Sequence, residues 1–132
     1  MSGERTILVV DDEPDIVALA ASFLKEMGYR SLSAANADIA LIILKQPAIA
    51  IDLLITDIIM PGTLDGVSLA GEASRLIPDL PIIYMTGFSG IADIRSRGAP
   101  PGALLMKPWS YERFVEAANA ALAASALVQR RG

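Results

Sequence analysis

Short apolar runs alternate with helical patterns along the chain. "TILVV" (Thr6–Val10) predicts a buried strand, and the helix after it places Ile16, Ala20, Phe23, Leu24 and Met27 on one face. Pro14 stands near that helix's start and Gly28 just past its end. "YRSLSA" (29–34) predicts a weaker, more exposed strand, and "ADIALIILK" (37–45) a short helix stopped by Pro47. "IDLLITD" (51–57) predicts a second fully buried strand. The turn "MPGTLDG" then leads to a helix from about Val67 to Ile77. "PIIYMTG" (81–87) predicts a third buried strand, followed by a short, poorly patterned helix near Ser89–Ser96. "GALLMKP" (102–108) predicts the last strand and "SYERFVEAANAALAASALV" the last helix, with Ser110 as its N-cap.

Five strands alternate with five helices, and the apolar strands show no period of two. That pattern belongs to a parallel sheet covered on both faces. Right-handed crossovers then give an α/β, doubly wound (βα)5 fold, whose sites lie at the carboxyl ends of the strands. The 132 residues suit one domain over 1–132, with its core from about 5 to 127.

Composition narrows the chemistry. A net charge of −4 argues against electrostatic binding of nucleic acid or anionic membrane. With no cysteine and no histidine, thiol catalysis, zinc–thiolate sites, His-dependent triads and a phosphohistidine on this chain are excluded. The longest apolar run, "IALIIL" (39–44), is far too short to span a bilayer, and the N-terminus lacks a signal-peptide pattern. A soluble, cytoplasmic protein is expected. Met60, Met85 and Met106 read as core filler, and the terminal "QRRG" as a solvated helix end.

The informative residues follow the strands. The first strand ends in Asp11-Asp12-Glu13, the third in Asp57, the fourth in Thr86-Gly87 and the fifth in Lys107-Pro108. Each alone is ordinary turn or surface chemistry. A parallel sheet brings all four ends to one edge, so carboxylates, a hydroxyl and an ammonium converge. That set suits phosphoryl transfer to a carboxylate. Asp57 is the natural nucleophile, and oxygen donors from Asp11, Asp12 and Asp57 suit Mg²⁺. Lys107 offers a positive charge and Thr86 a hydroxyl to phosphoryl oxygens, while Gly87 leaves the entrance open to a donor. Glu13, before Pro14, is expected to be solvated near the helix start, with at most an outer-shell part.

The motifs "VVDDEP", "LLITDIIMPG…DG", "YMTG" and "LLMKPW", in this order and each at the end of its own strand, resemble a response-regulator receiver domain over essentially the whole length. The resemblance implies a flavodoxin-like fold, Asp57 as phosphoacceptor, and Mg²⁺ held by Asp11, Asp12, Asp57 and the backbone carbonyl of Ile59. It implies Thr86 as the switch hydroxyl, Thr86, Gly87 and Lys107 around the phosphate, and a cis Lys107–Pro108 peptide. The implied partners are a sensor histidine kinase or histidine phosphotransfer protein, an unidentified output protein, and a homodimer that phosphorylation can favour. The chain would not be an enzyme beyond assisting its own phosphorylation and dephosphorylation. No DNA-binding or enzymatic output domain follows the last helix, so a stand-alone regulator or a piece of a longer protein is expected.

The turn "MPGTLDG" is one residue longer than the commoner form, which with "TGFS" is similar to receivers of hybrid kinases and to some stand-alone receivers. Leu104 stands where many receivers carry a rotating aromatic, and Ile59 and Phe88, both large and apolar, flank the route of a hydrolytic water. Three rival functions follow from the same residues. A flavin-type cofactor binder would need a phosphate cradle, and here that loop is acidic. An aspartyl-nucleophile phosphatase would place an acid two residues after Asp57, and here that position is Ile59. A degenerate receiver would serve only as a docking module, and the complete acid–threonine–lysine set speaks against it.

Overall fold

A computed structural model describes residues 4–60, 62, 64–87, 94 and 96–131, with side chains as far as Ser125. Runs of apolar, largely β-branched residues form β1 (Thr6–Val10), β3 (Leu53–Asp57) and β4 (Ile82–Thr86), which are almost wholly buried. β2 (Arg30–Ala34) and β5 (Ala103–Met106) lie at the two edges. The order is β2-β1-β3-β4-β5, and every pair is parallel. Successive residues of a strand face opposite sides. Leu8, Val10, Leu54, Ile82 and Tyr84 join one core with helices α2 (Ala37–Leu44) and α3 (Gly66–Leu76). Ile7, Val9, Leu53, Ile55 and Ile83 join another with α1 (Pro14–Glu26) and α4 (Tyr111–Arg131). Both faces are covered, which is why the strands read as continuous apolar runs rather than alternating ones.

Each helix begins where local chemistry permits. Pro14 opens α1, and Gly28, at φ +88°, follows its end. Asn36 caps α2 through the Ile39 N–H (2.8 Å), Asp65 caps α3 through the Ser68 N–H (3.0 Å), and Ser110 accepts from the Arg113 N–H (3.1 Å) at the start of α4. The Ser110 cap is as expected; those at Asn36 and Asp65 are additional. α3 accordingly begins at Gly66, one residue before the expected start. The expected helix near Ser89–Ser96 falls largely outside the described residues, and so does Phe88.

The edge strand β5 corrects one expectation. Met106 is 36% exposed and Leu104 41%, while Leu105 alone of this strand is buried. An edge strand has a neighbour on one side only, so less of its apolar surface is covered. Met60 and Met85 are core residues as expected; Met106 is not.

Candidate functional site

The order of the sheet places a change of winding direction between β1 and β3, and the crevice outside their carboxyl ends holds the acidic cluster. Asp11 follows β1 directly and is 1% exposed. Its Oδ1 accepts the Glu13 N–H (2.9 Å), while its own N–H donates to the Ala34 carbonyl (3.2 Å). Asp57 ends β3 and is 7% exposed, while Asp12 points to solvent. One carboxylate oxygen from each of Asp11, Asp12 and Asp57 lies within 4.8 Å of the others. Positions 11 and 57, remote in sequence, are neighbours because β1 and β3 are hydrogen-bonded strands.

Lys107 reaches in from the end of β5. Its Nζ donates to Asp11 Oδ2 (2.7 Å), to Asp57 Oδ2 (3.2 Å) and to Glu13 Oε1 (3.3 Å). Its backbone N–H donates to the Thr86 carbonyl (2.8 Å), and the peptide to Pro108 is cis, as the resemblance implied. One ammonium among three clustered aspartates leaves negative charge uncompensated. Burial pushes the Asp57 carboxyl above its usual range, the neighbouring Asp11 charge adds to this, and Lys107 and the Ile58 N–H oppose it. Burial works against the Lys107 charge, but the Asp11 hydrogen bond and the Asp57 and Asp11 charges outweigh it and hold the ammonium above its ordinary range.

Such a site can take a hard cation. The donors are all carboxylate oxygen and lie close together, those of Asp11 and Asp57 buried, and the chain has neither histidine nor cysteine to offer an imidazole or thiolate. That set suits a hard divalent cation such as Mg²⁺ rather than a soft or nitrogen-seeking metal.

The remaining expected residues are placed less directly. Thr86, 1% exposed, donates its hydroxyl to the Gly87 carbonyl (2.7 Å) rather than toward Asp57. Gly87 is exposed, and a Cβ there would meet nothing within 4 Å, so crowding does not require glycine. The Ile59 side chain is 54% exposed beside the nucleophile. Leu104 lies opposite Tyr84 in the β4–β5 register, and Tyr84 is buried with its hydroxyl donating to the Pro100 carbonyl (2.6 Å). Burial pushes that phenol up to about 12. Sequence reasoning missed the contact between Glu13 and Lys107, because nothing local links positions 94 residues apart. It also missed the Arg97 ion pair with Asp65 and the Arg97 hydrogen bond to Ser68 Oγ (2.9 Å). The "DG" before α3 is the signal that could have found the Asp65 cap.

Comparison with known proteins agrees with this fold. The family model of the response regulator receiver domain matches residues 7–119. The response regulator receiver protein CpdR of Brucella abortus is 33% identical over 112 residues, covering 84% of this chain and 91% of CpdR. The nitrogen assimilation regulatory protein NtrX of Azorhizobium caulinodans is 37% identical over 123 residues, 88% of this chain. The chain spans only 26% of that NtrX and 12% of the sensor kinase CckA of Brucella abortus, which it also resembles. Among solved structures, a response regulator receiver protein from Sinorhizobium medicae superposes with a TM-score of 0.86 at 29% identity, covering 95% of this chain and 99% of that one.

Proposed function

This chain belongs to the response regulator receiver domain family, and we propose that it accepts a phosphoryl group on Asp57 from a partner's phosphohistidine. The observation that carries this reading is the buried Asp57 carboxylate, 3.2 Å from the Lys107 ammonium and clustered with Asp11 and Asp12. The donor is a sensor histidine kinase or a histidine phosphotransfer protein, which suits a chain without histidine of its own. An Asp57 carboxylate oxygen attacks phosphorus, a P–O bond forms as the P–N bond breaks, and the imidazole leaves with the electron pair and takes up a proton.

Asp11, Asp12, Asp57 and the Ile59 backbone carbonyl would hold Mg²⁺, which when bound supplies positive charge against the transferring group's oxygens. Lys107 exchanges its contact with Asp57 for one with a phosphoryl oxygen. The Thr86 hydroxyl turns from the Gly87 carbonyl to donate to another, and Gly87 leaves the approach free of side chain. Glu13 retains a hold on Lys107. The chain assists this step and turns over no separate substrate.

The added charge then alters the face to which β5 and α4 contribute, where Leu104 and Met106 are exposed. That face engages an output protein or a second phosphorylated copy. Action in the cytoplasm, as one domain over residues 1–132, completes the reading. No described helix is long and apolar enough to cross a membrane.

The deciding experiment is labelling by a small acyl phosphate with Mg²⁺, comparing wild type with Asp57→Asn. Labelling of the wild type alone is expected. Equal labelling of both would overturn Asp57 as the acceptor and favour a docking module or another nucleophile.

A further inference from the structure

The first residue of α3 lies unusually close to the nucleophile's own main chain. A Cβ built on Gly66 would stand 1.9 Å from the Asp57 carbonyl oxygen, and 2.8 Å from both the Asp57 carbonyl carbon and the Ile58 Cα. All three are backbone atoms of the strand end, so no side-chain rotation could relieve the clash. Gly66 is required here for space, not for an unusual φ. Its N–H donates to the Ile58 carbonyl at 2.8 Å, so the same residue both abuts and holds the Asp57–Ile58 segment.

A second group grips the Asp57 carbonyl itself. Thr56 is 0% exposed and donates its hydroxyl to the Asp57 oxygen at 2.9 Å. The Ile58 N–H is tied to the Met85 carbonyl (3.2 Å) on the neighbouring strand. The peptide that carries the nucleophile is therefore held by α3, by β4 and by the residue before it. Asp65 caps the same turn of α3 and fixes where Gly66 starts.

We propose that Gly66 and Thr56 are positioning residues for Asp57: they fix the plane of the Asp57–Ile58 peptide and so aim the carboxylate at the incoming phosphorus. Neither touches the reacting atoms. Gly66 acts by having no side chain, and Thr56 by one hydrogen bond. Their effect on rate follows from geometry, because a displacement of about 1 Å at a reacting group can cost about a hundredfold. This inference rests on the reading of Asp57 as phosphoacceptor.

Gly102 provides an internal control. A Cβ there would stand 2.5 Å from the Ile82 carbonyl oxygen and 2.9 Å from the Tyr84 ring, at the opposite edge of the sheet. It is similarly crowded and remote from Asp57. Gly66→Ala, Gly102→Ala, Thr56→Val and Thr56→Ser are compared for thermal stability, labelling rate of the folded protein by a small acyl phosphate with Mg²⁺, and the ¹³C shift of the Asp57 carboxyl without metal.

Both alanine variants should lose stability. Only Gly66→Ala should also label slower, by about tenfold to a hundredfold, with a displaced Asp57 carboxyl shift. Thr56→Val should slow labelling by a few fold, and Thr56→Ser, which keeps the hydroxyl, should restore it. Should Gly66→Ala not fold, the Thr56 pair decides alone. Wild-type rates and shifts in Thr56→Val together with equal behaviour of the two glycine variants would overturn the inference. Absence of label on the wild type would instead refute the acceptor reading, and the Asp57 carboxyl shifts would still judge the positioning.

Discussion

At the scale of single residues, the site is an electrostatic imbalance held in a desolvated crevice. Asp57 is drawn above its usual range by burial and by Asp11, so the folded chain binds its proton more tightly than the unfolded one does. Stability then falls as pH rises from the unfolded value near 3.8 through the raised folded value, and stays reduced at neutral pH. Asp57→Asn removes this charge and should raise the metal-free melting temperature at pH 7 by about 2–5 °C. Differential scanning calorimetry from pH 7 down to pH 4 should show the gain shrinking as wild-type Asp57 protonates; a lower melting point for the variant at pH 7 would contradict it. Lys107 only partly relieves the crowding, because it is shared among Asp11, Asp57 and Glu13. Asp57, Asp11, Asp12 and Lys107 were legible in the sequence as polar residues ending apolar strands. The contacts of Thr56 and Gly66 were not, since a threonine inside a strand and a glycine at a helix start carry no local sign of what they touch.

At the scale of elements, α3 matters most to the site because it starts against the Asp57 carbonyl. Asp65 caps it and pairs with Arg97. Burial alone would raise the Asp65 carboxyl, but the Arg97 hydrogen bond and the Ser68 N–H outweigh it and hold it below its usual range. The sign is opposite to that of Asp57. The Asp65 contribution is present above its unfolded pKa and is lost as pH falls through the lowered folded value. Asp65→Ala should cost about 1 kcal/mol at pH 7, the usual worth of an N-cap, and less as pH drops below 3.8. Urea unfolding at both pH values checks this, and a cost independent of pH would remove the charge from the account. The helical period of α1 was legible because it buries one face, and α3 and α4 were legible by their extent. The exposure of β5 was not, because "ALLM" has the composition of a central strand and only its place in the sheet puts it at an edge.

At the scale of the whole molecule, two cores share one sheet, and the acidic crevice lies where the winding changes direction. A divalent cation bound there relieves repulsion that only the folded chain suffers, so binding and folding are linked. Mg²⁺ at ten to a hundred times its dissociation constant should stabilise the wild type by about 1.4–2.7 kcal/mol, and chelation should reverse it. Thermal shift with and without the ion checks this; Asp57→Asn should respond less, and an equal response would place the ion elsewhere. The parallel, doubly wound sheet, the parts of the chain that cross it and the polar residues that end each strand were all legible in local pattern, because burial on both faces writes itself as local apolar runs. Packing alone fixed that Lys107 stands among three acids, that Thr86 turns to Gly87, and that α3 presses on the Asp57 carbonyl. Such contacts join residues tens of positions apart, and their distances are set by packing that no local pattern records.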